Sequence, residues 1–196
     1  MTIVTRSVPS PVGSLLLVGD GVRLTGLFMT RHSARAGQAS PGRAPSFDGS
    51  RDDEAAFAEA VRQLGEWFEG RRQTFDLEVA PCGSTFQLHV WGVLREISYG
   101  ETMTYGEVAR RVGRPGSARA IGSAVGRNPV GIVIPCHRVV GAGGALTGYA
   151  GGLDRKRWLL EHERAHAGTS VAERLFPVDA VAHQSDGSSS SPEPKK

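Results

Sequence analysis

The residues of this chain whose types and spacing could do covalent chemistry lie in Ile134-Pro135-Cys136-His137-Arg138-Val139-Val140. A cysteine nucleophile works as the thiolate, and adjacent cationic groups favour that form, so His137 and Arg138 beside Cys136 fit a reactive sulfur. A buried structural cysteine is the other reading of the same residue. Gly131-Ile132-Val133-Ile134 is apolar and β-branched, which predicts a short buried strand. Pro135 cannot donate to a sheet ladder, so that strand should stop there and present Cys136 at its end. The glycine-rich stretch from Gly141 to Gly152 would let backbone approach a ligand closely.

Several elements must position this thiol. Ser84 with Gln87, and Thr104 with Glu107, read as capping boxes opening two helices. The first carries Val90, Trp91, Leu94 and Ile97 on one face; the second is short and ends at Gly113-Arg114-Pro115-Gly116. Ser117 then caps a third helix to about Gly126, and the last two form a helix-turn-helix pattern. On the third helix Ile121, Ala124 and Val125 share an inward face, opposite Arg119, Gly122, Ser123 and Gly126. Two glycines in one short helix cost stability; close approach to a bulky partner such as a DNA groove would explain them, as would tight packing against another protein segment, against which Arg119 on that face argues. A final helix spans Asp154 to Ala165, with Trp158, Leu159 and His162 inward and Arg155, Lys156 and Arg157 near its start.

Upstream, Val12–Val18 and Val22–Phe28 flank Gly19-Asp20-Gly21 as a hairpin, a helix runs from about Glu54 to Glu69, and Thr74–Val79 alternates like a strand. The expected organisation is an α+β N-terminal domain over 1–80, small sheet plus helix, with a mobile loop at 31–53. A mostly helical C-terminal domain over 84–166 follows, with a winged-helix-like helix-turn-helix and the cysteine, then a disordered tail over 167–196.

Composition narrows the partners. The 196 residues carry a net charge of +3, and from Phe86 to Ala165 eleven Lys and Arg face six Asp and Glu, so positive charge gathers around Cys136. That distribution favours a nucleic-acid surface. The two cysteines, Cys82 and Cys136, imply no disulfide framework and no cysteine-rich metal site. No signal-peptide pattern and no membrane-length apolar run is present, so a soluble cytoplasmic protein is expected.

Tyr105, Ser117-Ala118-Arg119-Ala120, Asn128-Pro129-Val130, the Pro-Cys-His-Arg-Val core and Tyr149-Ala150-Gly151-Gly152-Leu153 together resemble the O6-alkylguanine–DNA alkyltransferases, or methylated-DNA–protein-cysteine methyltransferases. The resemblance runs from Phe86 to Glu163. It implies a direct-reversal repair protein that flips O6-alkylguanine out of duplex DNA and takes the alkyl group irreversibly onto Cys136, once per molecule. O6-methylguanine is the chief substrate implied, with O4-methylthymine as a second.

By position, Arg119 is implied as the finger that enters the base stack. Ala118, Ala120, Gly122, Ser123 and Arg127 accompany it against the minor groove. Tyr105 is implied to press on the flipped nucleotide and donate to the purine, with Val139, Tyr149 and Ala150 lining the base pocket. The resemblance further implies that Cys136 couples through a water to His137, which Glu163 orients, and that Asn128 ties the cysteine turn to the recognition helix. The resemblance calls for no cofactor. Serine is common where Ala150 stands, and the cysteines of the zinc site found in some relatives are missing, so no metal is expected. A monomer is expected, with cooperative DNA binding left open. A lesion binder without transfer, or a redox sensor pairing Cys136 with Cys82, would be the competing readings; relatives of the first kind replace the nucleophile that this chain keeps.

Overall fold

The computed structural model describes residues 3–20, 23–29, 51–53 and 55–168. Most of the expected 31–53 loop and all but Ala167 and Gly168 of the expected tail lie outside the described residues. Four strands, β1 (Val4–Val8), β2 (Leu15–Gly19), β3 (Leu24–Met29) and β4 (Arg51–Asp52), form one sheet in the order β3-β2-β1-β4. The hairpin expected around Gly19-Asp20 joins β2 to β3, and Asp20 Oδ1 accepts the Arg23 N–H at 2.8 Å. β1 was not among the expected elements. Its Thr-Arg-Ser centre gives little apolar signal, and it is fixed by antiparallel pairing with β2 along its whole length. Arg51–Asp52, placed in the loop by sequence, instead pair in parallel with Val4 and Thr5. The reason is that the open edge of β1 offers backbone groups that need partners.

Helix α1 (Ala58–Phe68) follows a short 3₁₀ turn and buries Ala60, Gln63, Leu64 and Trp67. The strand expected over 74–79 does not form. Val79 alone bridges Leu24, whose N–H bonds Glu78 O at 2.9 Å and whose carbonyl accepts from Ala80 at 3.0 Å. Further along, the same edge of β3 serves a second segment: Leu27 N–H bonds Pro129 O at 2.8 Å, and Gly131 N–H bonds Leu27 O at 3.0 Å. Two distant stretches share one strand edge, so neither extends into a full ladder. The second of them leads directly into the cysteine turn.

Helices α2 (Thr85–Arg95), α3 (Tyr105–Arg111), α4 (Ala118–Gly126) and α5 (Leu153–His166) make up the second half. Both expected capping boxes are present, at Ser84/Gln87 and Thr104/Glu107. Ser117 precedes α4 but makes no side-chain cap. β5 (Met103–Thr104) pairs in parallel with β6 (Val139–Val140), which ties the start of α3 to the residues just after Cys136.

Trp91 is 2% exposed, and its indole N–H donates to Ala124 O at 2.9 Å, locking α2 to α4. Trp91→Phe should lower stability by about 1–3 kcal/mol, from the lost hydrogen bond and the smaller ring. The urea midpoint should fall accordingly.

Candidate active site

Ile132 to Ile134 are buried as expected and Gly131 is half-buried, but the stretch is a tight turn rather than a strand. Asn128 explains why. Its Nδ2 donates to Ile134 O at 2.8 Å and its Oδ1 accepts from Val130 N–H at 3.1 Å, satisfying the turn's polar groups from within. Ile132 pays with a φ of 67°, a left-handed conformation that a β-branched residue rarely adopts. Pro135 follows, and Cys136–Arg138 form one 3₁₀ turn. This geometry, and not a strand end, presents the sulfur. Cys136 is 9% exposed and unpaired with Cys82, which is an exposed free thiol.

Burial raises the Cys136 thiol above its ordinary value; hydrogen bonding from Asn128 and the charge of Lys156 pull it back only in part. The resting sulfur is therefore a thiol that needs a base. His137 is fully buried, and its Nε2 lies 2.9 Å from Glu163 Oε1. Burial would raise the Glu163 carboxyl, yet the hydrogen bonds and charges of His137 and Arg138 outweigh it and hold it at about 2. Burial also lowers His137 below its ordinary 6.5, against the pull of Glu163. His137 is thus neutral at neutral pH, where its Nε2 hydrogen bond and the Arg138 guanidinium together keep Glu163 ionised. An ionised carboxylate can only accept, so Nε2 must carry the proton and Nδ1 must be the acceptor. Nδ1 is buried without a protein partner. In this arrangement Glu163 fixes the His137 ring and leaves Nδ1 able to accept a proton.

Arg138 completes the hub. Its Nε and Nη2 reach Glu163 at 2.9 and 2.8 Å, and its Nη1 donates to Ile97 O at 2.5 Å. Glu163 Oε2 also accepts from Gly100 N–H at 3.2 Å. These groups set a pH dependence of stability. In the unfolded chain a histidine takes its proton near pH 6.5, whereas folded His137 resists until lower pH. Below about 6.5 the unfolded state binds more protons and stability must fall; Glu163 adds a loss of the same sign below 4.5. Denaturation midpoints at pH 7.5 and 5.5 should differ in that direction.

A cavity of about 320 Å³ opens beside Cys136, lined among others by Asn128, Arg127, Tyr149, Ala150 and Gly151. Burial raises the Tyr149 hydroxyl well above its usual value, so it stays a donor. Tyr105 and Val139 are not among the residues lining this cavity. The Tyr105 hydroxyl stands 3.4 Å from Thr147 O and 3.3 Å from Gly148 O, and its ring packs under Gly122 of α4. Val139 is fully buried. Its carbonyl accepts from Lys156 Nζ at 2.5 Å.

Lys156 lies near the start of the last helix as expected, but its inward role is not evident from the sequence. Placed there among the charges at the helix start, it is fully buried, donates also to Thr147 O at 2.8 Å, and lies 6.0 Å from the Tyr105 ring centre. The available signal was helical spacing: Lys156, Leu159, Leu160 and Glu163 share the inward face of α5. On α4, Ile121, Ala124 and Val125 are buried, while Arg119, Ala118, Ala120 and Ser123 are exposed and Gly122 is half-buried against Tyr105. Arg127, just after α4, is exposed at the cavity rim. Among the described residues no cluster of three His, Cys, Asp or Glu could hold a metal, and no helix is long and apolar enough to cross a membrane.

Two family models account for nearly all of the described chain. One, described as 6-O-methylguanine DNA methyltransferase, ribonuclease-like domain, matches residues 3–81; the other, the DNA binding domain of the same description, matches residues 85–165. The methylated-DNA–protein-cysteine methyltransferase of Mycolicibacterium paratuberculosis is 49% identical over 166 residues, 85% of this chain and 95% of its own length. The crystal structure of Mycobacterium tuberculosis O6-methylguanine methyltransferase superposes with a TM-score of 0.76 at 44% identity, covering 89% of this chain and 99% of that one. The Mycobacterium tuberculosis OGT in complex with DNA gives 0.73 at 45% identity, over 83% and 94% of the two chains. The two halves and their order agree with these relatives, and the chain belongs to the 6-O-methylguanine DNA methyltransferase family.

Proposed function

We propose that this protein repairs O6-alkylguanine in duplex DNA by transferring the alkyl group irreversibly to Cys136, one group per molecule. The observation that carries the reading is a buried thiol opening on a cavity, next to a histidine whose Nε2 is held by an ionised glutamate and whose Nδ1 is left to accept. The flipped guanine enters the cavity with its alkyl carbon against the sulfur. The thiol proton passes to Nδ1 of His137, by way of a bridging water as the family resemblance implies, and the imidazolium formed is stabilised by Glu163. The S–C bond forms as the C–O6 bond breaks, and the proton finally returns to the released guanine. Asn128 and Lys156 favour the thiolate as it develops. By the family resemblance Tyr105 donates to the leaving purine, its hydroxyl turning from the Thr147 and Gly148 carbonyls toward the cavity that Tyr149 lines.

Exposed Arg119 on the first turn of α4 is the side chain that fills the gap in the stack. Ala118, Ala120, Gly122, Ser123 and Arg127 supply the low-profile surface that fits a minor groove. The protein acts as a monomer near DNA in the cytoplasm, and requires no cofactor. The two halves are a supporting domain over 1–80 and a DNA-binding, catalytic domain over 84–166.

The test is intact mass after mixing the protein with a duplex containing O6-methylguanine, with Cys136→Ser in parallel. One methyl per chain, never more, and none on the variant is the expected result. No gain with retained lesion-selective binding would sink the transferase reading and leave a lesion binder.

A further inference from the structure

The cavity beside Cys136 is not built by the second half of the chain alone. Leu27, Phe28 and Met29, the end of β3, line it together with Cys136 and Tyr149. None of these three belongs to the stretch that carries the cysteine motif, so the sequence around Cys136 cannot reveal what they do. Leu27 is immobilised: its backbone bonds Pro129 and Gly131 at 2.8 and 3.0 Å, and its side chain is 2% exposed. Met29 is held differently. The Tyr149 hydroxyl donates to its sulfur across 3.7 Å, and a Cβ added to Gly151 would stand 2.9 Å from that sulfur. The thioether therefore rests on the Tyr149–Gly151 backbone and ring. Gly131 and Gly151 bring no side chain to the cavity. Among the apolar side chains there, an unbranched methionine with three rotatable bonds is the one best able to yield.

We propose that Met29 sets how large an O6 substituent this site accepts. The assignment rests on the reading that the cavity receives an O6-alkylguanine. The chemical step is the same for every substituent: sulfur gains the alkyl carbon, O6 loses it, and the thiol proton ends on the guanine. What changes is the volume the substituent needs beside the sulfur. Met29 yields to a larger group at the cost of its contacts with Tyr149 and Gly151, so transfer of large groups is slowed relative to methyl.

The experiment compares single-turnover transfer from duplexes carrying O6-methylguanine and O6-benzylguanine, read as the ratio of the two rate constants. A loss common to both substrates cancels in that ratio, so a general structural defect does not move it. Met29→Ala should raise the benzyl-to-methyl ratio at least fivefold. Met29→Phe, stiffer and bulkier at the same place, should lower it at least threefold. If the alanine variant does not fold, the phenylalanine variant decides. Ratios within twofold of the parent in every folded variant, or shifts in the reverse sense, would overturn the assignment. A parent protein that takes no methyl from O6-methylguanine would instead end the underlying transferase reading, a result plainly different from a flat ratio in an active protein.

Discussion

Glu163→Gln should nearly abolish alkyl transfer and destabilise the fold together. Glu163 is fully buried and gathers His137 Nε2, two nitrogens of Arg138 and the Gly100 N–H. All four are donors, and only a carboxylate can accept from all of them. A glutamine presents an NH₂ to one side of that cluster, so at least one donor meets another donor. Arg138 is then a buried cation without an anion, a loss of about 3–5 kcal/mol when one partner of a buried pair is removed. For a chain of this size that is a melting-temperature fall of roughly 10 °C or more. Catalysis suffers separately, because the tautomer of His137 is set by the carboxylate. With Nε2–H no longer required, Nδ1 can carry the proton and cease to be a base. Loss of a positioned general base lowers rates by about 10² to 10⁴. Single-turnover kinetics below the new melting temperature separate the two effects: a variant that is folded by circular dichroism and still transfers at the parent rate contradicts the role of Glu163.

Lys156→Met should slow transfer at neutral pH about tenfold and move its pH profile upward by about one unit. Methionine copies the length and apolar stem of the buried lysine but removes its charge and its donors. Burial lowers Lys156 from its usual value while a Cys136 thiolate raises it again; reciprocally, the Lys156 charge lowers the cysteine. Removing the cation leaves the thiol still higher, so a given rate is reached only at higher pH. The sign is fixed by the linkage: the thiolate forms as pH rises, and less of it is present at any pH in the variant. The carbonyls of Val139 and Thr147 also lose their shared donor, at about 1–3 kcal/mol. A purely structural lysine would cost stability without moving the pH profile, and the profile is therefore the decisive readout.

What could be read in the chain and what could not divide along physical lines. Local signals were legible: two capping boxes, the hairpin at Gly19-Asp20, the apolar faces of α1, α2 and α4, and the family motif around Cys136. Each depends on residues within a turn or two of one another, so spacing carries the information. The strands read at 74–79 and 131–134 were misjudged for a shared reason. Apolar, β-branched composition reports burial, but a strand also needs a partner along its length, and the single edge of β3 is divided between residues 78–80 and 129–131. β1 and Arg51–Asp52 show the converse, becoming strands because an edge was there to pair with.

The chemistry divides in the same way. The sequence by itself offered Cys136 as the nucleophile candidate with His137 beside it, and the family resemblance added Glu163 and the expectation that the small-residue face around Arg119 meets DNA. Only the tertiary structure decided the protonation states. The high thiol, neutral His137 and ionised Glu163 follow from burial and from Arg138 closing on the carboxylate, quantities that spacing does not contain. It also turned Lys156 inward and brought Met29 from β3 against Tyr149, because side chains 120 positions apart meet only when the sheet edge and the cysteine turn share hydrogen bonds.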